Sequence, residues 1–307
     1  MKALVVYNKY SGNSKMLRRL DYIITMLKTK YAEVDCFKST HPKSITEHII
    51  GCNIDYDLIL TIGGDGSVHE VINGALRLER KPTLAFIPAG TCNDAASTFG
   101  IRKNLKKTME MVLNNKPAKI DAFKINNDYF TYGLAAGCLT EISYDAPSKE
   151  KKKMGKIAYY FQGLKAYKDT KTINISLQAG DRKIEGNFSL FLALSTRYLA
   201  GFKIHRDKRI YLDDGKLRIT LIKKTSKTMN IIDFGMFLLF GEGYKHNIIH
   251  LDASDFKITS LAPTAYNTDG ERYGKYNEIN VSVIPQAIDV ILSSKVYKKH
   301  ILHKNKE

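Results

Sequence analysis

The chain has 307 residues, of which 44% are hydrophobic, and no apolar run reaches the ~18 residues of a membrane-crossing helix, so a globular protein of two domains is expected. Cys36, Cys52, Cys92 and Cys138 lack C-x-x-C spacing, which argues against both a zinc site and a disulfide scaffold. Lys and Arg number 48 against 31 Asp and Glu, and a net charge of +17 attracts polyanions, either nucleic acid or an anionic membrane surface.

Residues 3–7 form a short apolar run, which reads as a buried parallel strand. The run is too short for a signal peptide and has no small-residue cleavage site, so a cytoplasmic protein is expected. Residues 14–30 follow helical spacing through Met16, Leu17, Leu20, Ile23, Ile24 and Leu27. A second strand at 57–62 ends at Gly63-Gly64, and Val68, Val71, Ile72, Ala75 and Leu76 then repeat at helical spacing. A third strand, 84–87, is stopped by Pro88, and a short helix is predicted from Asp94 to Phe99. Leu105, Met109, Val112 and Leu113 mark a further amphipathic helix. Strand-helix alternation of this kind predicts a parallel sheet covered on both faces over residues 1–122.

From about residue 122 the texture becomes β-rich, with turn signals at Asn126-Asn127-Asp128, Ala179-Gly180-Asp181 and Asp213-Asp214-Gly215. Closely spaced strands predict an antiparallel β-sandwich over 123–286, with helical insertions near 155–168 and 228–242. Residues 287–292 read as one more strand, leading into a basic tail at 295–306.

The strongest local signal is Gly63-Gly64-Asp65-Gly66-Ser67-Val68-His69-Glu70, after a strand and opening a helix. Glycines let main chain approach a ligand closely, and N–H groups at a helix start favour phosphate. Asp65 among such donors suits Mg²⁺. A plain glycine-rich turn is the competing reading of the glycines alone. No Walker A or G-x-G-x-x-G spacing is present. A second loop, Pro88-Ala89-Gly90-Thr91-Cys92-Asn93-Asp94, offers a hydroxyl, an amide and a carboxylate at the same predicted sheet edge, although Asn and Asp are also ordinary helix caps.

These two loops, together with Asp269-Gly270-Glu271 and the N-terminal Asn8-Lys9-Tyr10-Ser11-Gly12, resemble the diacylglycerol kinase catalytic domain family in content and order over nearly the whole chain. That family includes bacterial diacylglycerol, sphingolipid and phosphatidylglycerol kinases. Ser67, Lys9 and Ala95 depart from its usual threonine, proline and phenylalanine, and none of the three removes a group that the chemistry needs. The resemblance implies a Rossmann-like α/β nucleotide domain, to which residues 287–307 return, joined to a β-sandwich for the lipid. It implies ATP and Mg²⁺ as cofactors, with Asn8 to Gly12, Thr40, Gly63 to Glu70, Thr91, Asn93 and Asp94 lining the nucleotide site. It also implies Glu271 as proton acceptor from the lipid hydroxyl and Asp269 as its partner. On an extended segment the two carboxylates would face one side. A structural Mg²⁺ is implied at Asp214 with carbonyls of Tyr211 and Lys216, where the residues alone equally suit a hairpin turn.

A membrane-lipid substrate fits basic clusters at 149–156 and 295–306, which would dock an anionic membrane surface peripherally. Solvated charge is the bland alternative for each cluster. The apolar stretch 231–240 reads as a core helix rather than a membrane insertion. A homodimer would suit exposed sheet edges in the second domain. An NAD kinase shares the glycine turn but not the later loops. No nucleic-acid-binding signature supports a specific nucleic-acid partner, and the acidic pair argues against a silent membrane sensor.

Overall fold

Apolar runs buried along most of their length organise the first part of the chain in the computed structural model, which describes residues 1–8, 19–138, 172–199, 202–204, 210–240 and 247–303. β1 (Lys2–Tyr7), β3 (Leu58–Gly63) and β4 (Thr83–Pro88) are such runs, and β3 is buried at every position. Strands of this kind must be covered on both faces, which is the environment of a parallel sheet. β2 (Glu33–Lys38) completes the parallel order β2-β1-β3-β4. No strand is legible in the sequence here, because Glu33, Asp35, Cys36 and Lys38 are exposed and give the edge strand no apolar signature.

Helix α1 (Leu20–Lys28) buries Ile23 and Leu27, and α5 (Leu105–Asn114) buries Leu105, Met109 and Val112, all in one core with Val5, Leu60 and Ala85. Truncating one such leucine to alanine costs about 2–5 kcal/mol. α2 (Ser44–Gly51) is likewise not among the expected elements. It packs on α3 (Asp65–Ala75) so closely that a Cβ on Gly74 would lie 2.9 Å from the Ile49 side chain. α4 (Asp94–Thr98) follows β4. These elements belong to a compact unit made of Met1–Ala122, Tyr211–Asp214 and Pro285–Glu307.

The returning segments are fastened to that unit by hydrogen bonds. Asp121 N–H donates to the Leu212 carbonyl (2.8 Å), and Leu212 N–H donates to the His300 carbonyl (2.8 Å). The buried Asp213 carboxylate accepts Leu302 N–H (2.7 Å) and His303 N–H (2.6 Å). Residues 294–300, expected as part of a basic tail, form helix α7 (Ser294–His300), whose first turn is capped by the Ser293 hydroxyl accepting Val296 N–H.

The second unit comprises Phe123–Ile210 and Gly215–Ile284. Its antiparallel order is β13 (Ile248–Ala253), β12 (Leu217–Lys223), β9 (Arg182–Leu194), β7 (Gly133–Gly137), β14 (Phe256–Thr268) and the first part of β15 (Glu271–Ile291), with β8 (Ile173–Ala179) beside β9 and β14, while β10 (Tyr198–Leu199) and β11 (Phe202–Lys203) pair apart from it. β5 (Pro117–Ile125) and β6 (Asp128–Phe130) form a hairpin closed at Asn126 and Asn127, so Asp128 is a strand residue. β15 runs 21 residues, so residues 287–291 end a long strand rather than form a new one.

Period-two alternation explains how β9 is buried on both faces. Phe191 and Ala193 enter one core with Ile219, Leu221 and Tyr266, whereas Leu190, Leu192 and Leu194 enter another with Phe234 and Phe237 of helix α6 (Lys227–Phe240). The chain is thus a mixed α/β fold with extensive antiparallel sheet. The expected helix near 155–168 and the basic cluster at 149–156 lie outside the described residues.

Candidate active site

β3 and β4 run parallel with Gly63 in register with Pro88, so both glycine loops leave the sheet at adjacent carboxyl ends. The loops then meet main chain to main chain. Ala89 N–H donates to the Gly63 carbonyl (2.8 Å). A Cβ on Gly64 would lie 3.0 Å from the Gly90 Cα, and one on Gly90 would lie 2.5 Å from the Gly64 Cα. Two glycines are therefore required here for approach, not for unusual torsions.

Side chains of the same motif lock this contact. Asn93 adopts a left-handed backbone (φ 56°), is buried, and clasps its own loop. Its Oδ1 accepts Gly90 N–H (2.8 Å) and its Nδ2 donates to the Gly90 carbonyl (2.7 Å). Asp65 Oδ1 accepts Ala95 N–H (3.0 Å), joining the start of α3 to the start of α4. Asp94 is buried at the head of α4, and Thr91 is exposed on the loop.

The ladder of α3 begins with Val68 N–H donating to the Gly64 carbonyl (3.1 Å), so the N–H groups of Asp65, Gly66 and Ser67, in the first turn of the helix, lie outside that ladder. Ser67 and Val68 are themselves buried. His69 Nε2 and its carbonyl meet Asn73 Nδ2 along one helix face. Glu70 serves α2 instead: its Oε2 accepts Ile45 N–H (3.0 Å), and its carbonyl accepts the Thr46 hydroxyl (2.8 Å). Thr40, exposed, donates its N–H to Ser44 Oγ just before that helix. Asn8 follows β1 and donates its N–H to the Ile62 carbonyl (3.4 Å). Lys9, Tyr10, Ser11 and Gly12 lie outside the described residues.

In the second unit Asp269 and Gly270 form a two-residue hairpin turn between Thr268 and Glu271, with φ of 51° and 84°. Positive φ at both central residues is the turn that matches strand twist. The expectation of an extended segment with both carboxylates on one side is therefore corrected. Asp269 is 1% exposed. Its carboxylate accepts the N–H groups of Thr131 (2.9 Å), Tyr132 (2.8 Å) and Gly133 (3.0 Å), and the Thr131 hydroxyl. Its carbonyl accepts the Tyr132 hydroxyl (2.7 Å). Asp269 thus anchors the turn, and Glu271 follows it, exposed.

The acidic turn 213–214 divides its roles. Asp213, legible in the sequence only as part of a turn, holds the returning C-terminal segment, while Asp214 beside it is half-buried. Tyr211 is half-buried, and the Lys216 carbonyl accepts the Arg218 guanidinium (2.8 Å). Among the described residues no three His, Cys, Asp or Glu side chains cluster as a metal site.

The arrangement has relatives. The family model of the diacylglycerol kinase catalytic domain matches residues 2–125. A diacylglycerol kinase of Staphylococcus epidermidis is 30% identical over 308 residues, covering 98% of this chain and 95% of that protein. The chain belongs to the diacylglycerol kinase family. A diacylglycerol kinase of Staphylococcus haemolyticus is 29% identical over 305 residues, covering 97% of this chain and 90% of that one. The crystal structure of a candidate diacylglycerol kinase from Bacillus anthracis superposes with a TM-score of 0.80 at 25% identity, over 96% of this chain and 97% of that one. Membership makes this chain a lipid kinase, a phosphotransferase with an alcohol group as acceptor.

Proposed function

We propose that this lipid kinase transfers the γ-phosphate of ATP to the free hydroxyl of diacylglycerol or a related membrane lipid. The observation that carries the reading is the Gly64–Gly90 contact, which leaves two loops at the carboxyl edge of a parallel sheet with no side chain between them. Open α/β sheets bind ligands at that edge, and a helix start beside it attracts phosphate. In this reading the first unit is a Rossmann-like nucleotide domain and the second a β-sandwich for the lipid.

Asn8 to Gly12, Thr40, Gly63 to Glu70 and Thr91 would line the ATP site. The bonds described above give Asn93 and Glu70 a positioning role, since each holds backbone N–H groups of a neighbouring loop or helix. Mg²⁺ fits a half-buried Asp65 carboxylate beside phosphate oxygens, because this ion takes few protein ligands and keeps waters. When bound it would neutralise charge on the transferring phosphoryl group. Tyr211, Asp214 and Lys216 offer oxygen donors for a second, structural Mg²⁺.

Glu271 is the proton acceptor for the lipid hydroxyl in this reading. Asp269, saturated by N–H donors, fixes the turn on which Glu271 stands. No helix among the described residues is long and apolar enough to cross a membrane. A cytoplasmic enzyme would meet its lipid by docking on anionic headgroups, with Lys295, Lys298 and Lys299 of α7 contributing, and it could do so as a homodimer.

The test is transfer of labelled γ-phosphate from ATP and Mg²⁺ into a panel of lipids in mixed micelles, with Glu271→Gln alongside. Label in a glycerolipid that is lost in the variant supports the reading. Label entering NAD instead, or label undiminished in the variant, overturns it.

A further inference from the structure

Helix α6 is a core helix on one side only. Phe234 and Phe237 are buried with Leu190 and Leu192 of the sheet. Met229, by contrast, is 37% exposed and Ile232 49%, and Met236 is half-buried. These three stand at i, i+3 and i+7, which is one face of a helix. A Cβ built on Gly235 would meet nothing within 4 Å, so no other element covers the helix at that position.

The polar side chains that would normally wet such a face are turned away from it. Asn230 is buried, and its Oδ1 accepts the N–H (3.0 Å) and the hydroxyl (2.7 Å) of Thr225. Asp233 is buried beside Asn247. Among the described side chains from 229 to 237, those left outside are apolar. A surface helix in water is patterned the other way, with its polar residues outward.

Charge stands at the start of the helix instead. Lys223 and Lys224 are exposed. Their N–H groups donate to the carbonyls of Asn247 (2.8 Å) and Asn187 (2.9 Å), so the segment that carries them is fixed. The one acid between 221 and 237 is Asp233, and it faces inward. An apolar helix face with lysines at its end suits the headgroup region of an anionic bilayer. The 14 residues of α6 span about 21 Å, short of the ~30 Å of a bilayer core, so the helix fits in the membrane plane and not across it.

A second copy of the chain is the other candidate to cover this face. A stable protein interface takes about 20–30 residues from each partner, far more than one helix face offers. A bilayer rewards each inserted side chain separately. We infer that Met229, Ile232 and Met236 of α6 insert into the headgroup region of an anionic membrane, with Lys223 and Lys224 holding lipid headgroups beside them. The inference rests on the membrane docking proposed above and gives that docking a contact from the second unit.

The chain contains no tryptophan, so Ile232→Trp places a single fluorescent reporter on the face, and Met229→Trp serves if the first variant does not fold. The probe is a vesicle of phosphatidylcholine and phosphatidylglycerol, with pure phosphatidylcholine as the neutral control. Emission should shift to the blue on the mixed vesicles and be quenched by lipids brominated near the headgroup end of the acyl chain. The double variant Met229→Ser, Ile232→Ser should bind mixed vesicles about 10-fold more weakly in sedimentation and should melt as the wild type does, because both side chains already stand in water. Lys223→Gln and Lys224→Gln should each cost about 5-fold on mixed vesicles and nothing on neutral ones. Unshifted emission from protein that sediments with the vesicles overturns the inference, since another surface then does the docking. Failure of the protein to sediment with mixed vesicles overturns it too. So does a blue shift in solution that grows with protein concentration, which would put a second copy on the face. Phosphate transfer to dioctanoylglycerol in micelles separates the readings. Transfer with an unshifted emission sinks this inference and leaves the glycerolipid reading standing, whereas a shifted emission without transfer does the reverse.

Discussion

The two units build their turns on opposite principles. In the first, Gly64 and Gly90 bring main chain against main chain, and the space where a ligand would approach is defined by the absence of side chains. In the second, the Asp269-Gly270 turn is positioned by a side chain, a buried carboxylate that takes three N–H groups and a hydroxyl. A main-chain contact tolerates no added atom, whereas a carboxylate clamp tolerates no lost charge. An Asp-Gly pair stands at both places, Asp65-Gly66 and Asp269-Gly270, yet the expected sensitivities differ.

The largest effect should fall on Glu271. Glu271→Gln removes the proposed proton acceptor without touching the clamp, and transfer should drop about 10²–10⁴-fold with the melting temperature unchanged. Asp269→Ala should do the reverse in emphasis. It orphans the N–H groups of Thr131, Tyr132 and Gly133, which should cost about 3 kcal/mol of stability, seen in urea unfolding before any loss of nucleotide binding. Equal damage by both variants in both assays would erase the distinction between the reacting acid and its anchor.

Next comes the glycine contact. Gly90→Ala places a Cβ 2.5 Å from the Gly64 Cα, while Gly64→Ala meets Gly90 at 3.0 Å. Backbone cannot rotate away as a side chain can, so Gly90→Ala should cost about 1–3 kcal/mol and Gly64→Ala less. Nucleotide affinity, measured by calorimetry, should fall in the same order. If the two substitutions weaken binding equally, the loops do not act through this contact.

Legibility in the sequence follows the range of the interactions. β3 and the turn after it could be read because residues 58–62 are an apolar run broken only by Thr61, with the glycines directly behind it. β2 could not be read, since an exposed edge of alternating charge carries no burial signal. α7 was hidden by its lysines, which resemble a solvated tail, although Ser293 is an ordinary cap. The acidic turn was visible as a motif, but its geometry was not. The partners of Asp269 lie up to 138 positions away, and no local pattern reports them. Asn93 similarly reads in the sequence as an amide offered to a ligand or as a helix cap, whereas the fold spends its amide on Gly90.

Asp213 is the first unit's own carboxylate clamp and sharpens the comparison. It accepts two consecutive N–H groups near the chain's end, at 2.7 and 2.6 Å, with the His303 ring beside it. Asp213→Ala should cost about 1–2 kcal/mol, somewhat less than Asp269→Ala, because fewer donors are orphaned and His303 is more than half exposed to water. Hydrogen exchange at Leu302 and His303 should accelerate ahead of the sheet. Protection left intact there would show that the carboxylate does not hold this segment.

Asp233 supplies the opposite case, a carboxylate buried in the second unit without a full set of donors. It is 0% exposed on α6, and Asn247 Nδ2 donates to its Oδ2 (3.0 Å) while Oδ1 has no partner. Burial pushes its carboxyl above the ordinary range, with the Asn247 bond opposing. The folded chain therefore holds this proton to a higher pH than the unfolded chain, whose aspartate titrates near 3.9. Stability from this group is complete below that unfolded value and is lost as pH rises through the folded one. Once ionised, the carboxylate is a charge that only one donor meets, in contrast to Asp269. Asp233→Asn keeps the shape and removes the charge, so it should raise stability at pH 7 by about 1 kcal/mol, or a few degrees in melting temperature. The gap between variant and wild type should close as the pH is lowered toward 3. A gap that widens on acidification would mean that Asp233 is held as a carboxylate by a positive partner, and the contrast with Asp269 would then fall.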